Sequence, residues 1–345
     1  MPLAARRVFR LSFAFALALV VGYGLALQPP FMAPLFALML TATPGSPMGP
    51  ARLAVTAIAL SVILGIGLLV APMLEYYPIS AVLIVGVGVY IANHLALVVG
   101  KGGLAAMLTM GLTLISALGT LSSAAAAAII DALILGIVVA VLCQHVAHAL
   151  FPEPLVPARP APPPAQRDRA ALTATVIIMP VYLLSLTNPS FYLPIIMKTV
   201  SLAQQGSLVR VRAAGRELLG STFLGGSFAI AIWVALKIWP SLWMFFLWVL
   251  LFGVFVASRL YGLVRTRFPP SFWINTAITA LILLGSAVQD TENGKDVYQA
   301  FAVRLSLFVA VGVYAWIAVI LIERWRSRRQ RSRCAGRGML ERGQA

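Results

Sequence analysis

The chain reads as a succession of long apolar runs separated by short clusters of Pro, Gly, Ser, Thr and charged residues. A bilayer core about 30 Å thick needs about 20 mostly apolar residues in one helix, and most of the runs have that length. In the first half they cover roughly residues 9–27, 31–41, 53–71, 79–99, 104–118 and 124–150. In the second half they cover roughly 171–187, 191–203, 218–239, 242–261, 272–288 and 297–322. The pattern predicts an all-α polytopic membrane protein with about 12 transmembrane or re-entrant helices, six to each half.

The breaks divide the chain. Residues 1–151 form a first membrane unit, and the stretch Pro152–Arg169, with seven prolines in 18 residues, reads as a solvated linker. Residues 170–323 form a second membrane unit, and 324–345 a tail with eight arginines and one glutamate. An offset of 160 sets Gln28-Pro29 opposite Asn188-Pro189, Phe31 opposite Phe191, Pro34 opposite Pro194, Arg52 opposite Arg212 and Gly65 opposite Gly225. One shared offset points to a duplicated six-helix unit.

Charge then fixes an orientation. The chain carries 26 basic and 10 acidic residues, 10% charged in all, against about 25% in a soluble domain. A net charge of +16 would suggest nucleic acid in a soluble protein, but here the basic residues flank apolar runs and nucleic-acid binding is not expected. Arg6, Arg7, Arg10, Arg52, Lys101, Arg159, Arg167, Arg169, Arg210, Arg212, Arg216, Arg259, Arg265, Arg267 and the tail arginines all fall on one side of a twelve-span layout. Glu75, Lys237, Asp290, Glu292, Lys295 and Asp296 fall in loops on the other. The positive side is cytoplasmic, so both termini and the linker are expected there, and the two units run parallel. The arginine-led first run lacks a convincing small-residue cleavage site and reads as an uncleaved span.

The second run of each half is short, at 11 to 14 apolar residues, or about 16 to 21 Å at 1.5 Å per residue. Each contains a proline, Pro34 and Pro194. Short, interrupted helices at matching places in two repeats mark a transport site, because their freed backbone groups hold a solute; a tilted structural helix is the other reading. Charges inside spans are costly and face a cavity or a partner. Asp131, Lys198 and Arg304 qualify. Asp131 and Arg304 lie in equivalent sixth spans, which suggests a pair across the two units, lining a shared path or purely structural. Asp131 is also placed to exchange a proton, with His94 and its neighbour Asn93 as candidate helpers or packing residues.

His145 and His148 share a helix face without a carboxylate beside them, and two cysteines make neither a disulfide framework nor a thiolate site, so no metal or cofactor is expected. Gly65, Gly67, Gly86, Gly88, Gly225 and Gly226 are packing signals. No nucleotide-binding glycine loop, zinc-protease motif or nucleophile elbow is present, and the chain does not read as an enzyme.

The arginine-led first run, the segment Pro29-Pro30-Phe31-Met32-Ala33-Pro34-Leu35-Phe36-Ala37-Leu38-Met39-Leu40 and the six-plus-six layout together resemble the fusaric acid resistance and aromatic acid exporter superfamily. They more closely resemble a branch of about 350 residues catalogued as a domain of unknown function. The resemblance implies a proton-driven efflux component of the Gram-negative inner membrane that exports small aromatic carboxylates or related anions with a periplasmic membrane-fusion adaptor. The chain lacks the sizeable cytosolic domain of larger relatives, and no residue role carries over. A non-transporting subunit that anchors an envelope complex is the alternative. Oligomeric state is left open, homo-oligomer included.

Overall fold

A computed structural model describes residues 2–43, 45, 47–99, 108–153, 164–206, 211–292 and 297–342. The central linker residues 154–163, and the topology markers Lys101, Arg159, Arg210, Lys295 and Asp296, lie outside the described residues. Twelve helices are described: α1 (Leu3–Gly24), α2 (Met32–Ala42), α3 (Pro50–Tyr76), α4 (Pro78–Val99), α5 (Leu108–Gly119), α6 (Ser123–Leu150), α7 (Pro164–Ser185), α8 (Pro189–Gly206), α9 (Val211–Ile238), α10 (Leu242–Leu260), α11 (Pro270–Glu292) and α12 (Val297–Arg342). Eight of these, α3, α4, α6, α7 and α9 to α12, contain stretches long and apolar enough to cross a membrane. The chain is an integral, polytopic membrane protein.

Helix starts are set locally. Pro50, Pro78, Pro164, Pro189 and Pro270 each open a helix, where the missing proline N–H has no intrahelical partner to lose. Ser122 and Ser241 cap α6 and α10, accepting from the backbone N–H of Ala125 and Met244. Asn188 does the same for α8 through Phe191. These proline and cap signals correct two sequence boundaries. Helix α8 begins at Pro189 and runs 18 residues, about 27 Å, so it is not as short as its apolar run suggested. Residues 164–169, read as linker, are the first turns of α7.

Helices α2 and α8 are the hub. Nine of the 11 residues of α2 are buried, and so is every residue from Ile195 to Ala203 in α8, which means that each is surrounded on all sides. Helix α2 packs on α1, α6 and α11; α8 packs on α7, α12, α11 and α5. Helix α3 lies on α5 and α9 on α11, while α1 lies along α10 and α7 along α4. Glycines allow the close crossings. A Cβ on Gly67 of α3 would sit 2.4 Å from the Gly111 carbonyl oxygen, where α5 makes a π-helical turn over Gly111–Ile115. A Cβ on Gly225 of α9 would sit 2.6 Å from Thr279 of α11.

Outside this hub the polarity is reversed relative to a soluble protein. Val55, Ile58, Val62, Ile66 and Leu69 of α3, and Leu83, Val87, Ile91 and Leu95 of α4, form exposed stripes at helical spacing. In a bilayer these side chains meet acyl chains.

Candidate functional site

The α8/α9/α11 junction holds a fully buried lysine. Lys198 is 0% exposed. Its ammonium donates to Asn275 Oδ1 at 2.7 Å and to the Thr279 hydroxyl. Asn275 and Thr279 are four residues apart, so they share one face of α11. The Asn275 amide nitrogen donates in turn to the Ser221 hydroxyl of α9, and Thr279 donates to the Asn275 backbone carbonyl at 2.7 Å. Gly225, one turn after Ser221, brings α9 close enough for this network to close.

The electrostatics are incomplete. All hydrogen-bond partners of Lys198 are neutral, and among the described residues it has no acidic partner. A buried charge normally requires an opposite charge as well as hydrogen bonds, because desolvation costs several kcal/mol per ion. Asparagine and threonine dipoles supply part of that compensation. The Ser201 hydroxyl, on the next turn of α8, is buried without a partner. The arrangement is a buried amine hydrogen-bonded to neutral polar groups, with one unsatisfied hydroxyl on the next turn.

Pro194 lies four residues before Lys198 inside α8. Lacking an N–H, it leaves the Ser190 carbonyl without its helical bond. Pro34, by contrast, is the third residue of α2, in the first turn, where the N–H is unpaired anyway. The two prolines therefore do not do the same thing: of α2 and α8, only α8 loses an internal helical bond to its proline.

Arg304 does not meet Asp131. Its guanidinium forms a two-pronged pair with Asp290 near the end of α11, and Asp131 is exposed on α6. The cross-unit pair fails because α6 packs on α1, α2 and α3 whereas α12 packs on α9, α8 and α7. Asp290, expected in a loop, is a buried helical residue. Asn93 is buried and spends its amide on the Val89 carbonyl and the Thr109 hydroxyl of α5, a packing role. His94 Nε2 lies 2.9 Å from Asp168 Oδ1 near the start of α7, with both side chains substantially exposed, and its ring stacks on Tyr90. Neither residue is brought to Lys198.

A second polar cluster was invisible in the sequence. Glu153, 1% exposed, is clamped by Arg7 and Arg10, the latter 3% exposed. Tyr261, just past α10, donates to the carbonyls of Thr41 and Ala42, and Gln144 of α6 donates to the Leu40 carbonyl. These donors satisfy the end of α2; burial pushes the Tyr261 phenol above its ordinary range. Glu153 falls in the stretch whose composition predicts a linker, and nothing in its local sequence marks it as buried. Asn275 and Thr279 did carry a signal: polar residues four apart, on one face of a mostly apolar helix.

Residues 7–147 match the family model described as "Protein of unknown function (DUF2955)". The match covers α1 to α5 and nearly all of α6, and does not reach the Lys198 junction. It carries no link to the fusaric acid resistance superfamily, which stays a resemblance. No curated protein and no solved structure matches the chain.

Proposed function

We propose that this protein is a membrane transporter for small anionic solutes, with a path that passes the α8/α9/α11 junction. The observation that carries the reading is Lys198: a fully buried lysine held by neutral groups, on a proline-bearing helix at the hub of a polytopic bundle. Intramembrane cations of this kind mark substrate pathways. The solute class includes aromatic carboxylates. Export driven by a proton gradient, with a periplasmic adaptor taking the solute onward, rests on the family resemblance and on no contact in the bundle.

The reading includes two parallel six-helix repeats. In support, the neighbours correspond: α1/α2 with α7/α8, α2/α6 with α8/α12, α3/α5 with α9/α11, and α1/α10 with α7/α4. It also includes an inner-membrane location with both termini cytoplasmic, supported by the basic residues gathered where α1 begins and α10 ends.

The test is flux. The purified chain is reconstituted into vesicles loaded with benzoate, and release is followed with and without an imposed proton gradient. Saturable, gradient-dependent release is the expected result. Release no faster than from protein-free vesicles loaded with benzoate, with an envelope protein co-purifying instead, would favour the anchoring-subunit alternative.

A further inference from the structure

The loop joining α10 to α11 is built rather than slack. Gly262, at φ +73°, turns the chain out of α10, a left-handed conformation that glycine adopts without strain. The N–H groups of Tyr261 and Gly262 donate to the carbonyls of Ala257 and Arg259, and Val264 N–H donates to the Ser258 carbonyl. At the far end Phe268 stacks on Phe272 with ring centroids 4.1 Å apart. Both ends of the loop are thereby fixed to the bundle.

Three arginines lie on this frame. The Arg259 guanidinium sits 3.6 Å from the Phe255 ring centroid and 5.3 Å from that of Trp273, donating only to its own helix, to the Phe255 carbonyl. Arg265 and Arg267 are exposed. None of the three has a carboxylate partner among the described residues; Glu217, on the neighbouring α9, accepts from Ser271. The indole N–H of Trp273 is buried without a partner. Among the arginines the loop exposes Leu263, Val264 and Phe268, large apolar side chains just beyond two membrane helices.

We propose that this loop is a binding site for the phosphate headgroup of an anionic phospholipid. The charge complementarity is one-sided: three unneutralised guanidiniums suit a phosphate, which they engage in two-pronged fashion. The exposed apolar side chains between them belong in the acyl boundary that the same lipid supplies, and basic pockets at the ends of membrane helices are where such headgroups dock. A free anion would satisfy the arginines but make no contact with Leu263, Val264 and Phe268.

The experiment uses the full chain in detergent, with bound lipid quantified by mass spectrometry after incubation with phosphatidylglycerol or with phosphatidylcholine. Phosphatidylglycerol binds selectively. Each arginine near a charged surface is worth about five-fold, so Arg265→Gln with Arg267→Gln lowers retention about 25-fold, and adding Arg259→Gln brings the loss to roughly a hundredfold. The double variant alters only exposed side chains and tests the proposal even if the triple variant does not fold. Lys237→Gln, at the opposite end of the bundle against Trp233 and Tyr298, changes nothing. Equal binding of phosphatidylcholine, or undiminished retention in the double variant, overturns the proposal. Displacement of phosphatidylglycerol by millimolar inorganic phosphate also overturns it, in favour of a soluble-anion site.

Discussion

Replacing Lys198 by Met separates function from stability, because the two effects have different magnitudes. The substitution removes charge-assisted bonds to Asn275 and Thr279, worth about 1.5 to 3 kcal/mol each. Thr279 keeps its bond to the Asn275 carbonyl, and the Asn275 amide nitrogen keeps Ser221. Only Asn275 Oδ1 is orphaned, at about 1 to 3 kcal/mol. Against this, the ammonium's burial cost of several kcal/mol disappears, and buried ionic groups are often replaced by apolar ones at no net loss. The terms nearly cancel, leaving a net change within about 2 kcal/mol and a melting shift below about 8 °C. A solute carboxylate deprived of its buried cation loses about 2 to 5 kcal/mol, so flux falls at least about 30-fold. The assays are melting by intrinsic tryptophan fluorescence and benzoate release from vesicles. A variant that unfolds readily while its folded fraction transports normally would show that Lys198 is structural and refute the reasoning.

Other substitutions test the frame around the site. Glu153→Gln leaves Arg7 and Arg10 without their anion at a nearly inaccessible position and costs about 3 to 5 kcal/mol, read as a fall in melting temperature; Arg7→Gln, at the more exposed member, costs much less. Gly67→Ala places a methyl 2.4 Å from the Gly111 carbonyl oxygen and destabilises by about 1 to 3 kcal/mol, whereas Gly65→Ala, with nothing within 4 Å, is neutral or stabilising by up to about 1 kcal/mol. Arg304→Gln exposes buried Asp290 to desolvation without its partner and lowers stability by about 3 kcal/mol or more, while Asp131→Asn, on an exposed position, leaves the melting curve unchanged.

The spans were legible because each is a local property: an apolar run bounded by Pro, Gly or a cap. Helix α8 was misjudged because its last turn, with Gln204 and Gln205, is polar, and polarity reads as loop in a membrane chain. Asp290 was misplaced for the same reason, sitting among Gln289, Thr291 and Glu292. Lys198 was visible as a charge in an apolar segment, yet its environment depends on which helices surround α8, and that is set by packing across 77 and 81 residues of chain. Pairing Arg304 with Asp131 assumed that equivalent helices adjoin. The partner is instead 14 residues away on the preceding helix, where the loop-closure cost is small.

Ligand charge offers the most direct test. Binding of benzoate and of its uncharged isostere benzamide is measured by calorimetry on the wild-type chain and on Lys198→Met. If Lys198 meets the solute, the wild type prefers benzoate by at least about tenfold, or 1.4 kcal/mol, and the variant shows no preference. A preference for benzoate that survives the substitution would contradict the account.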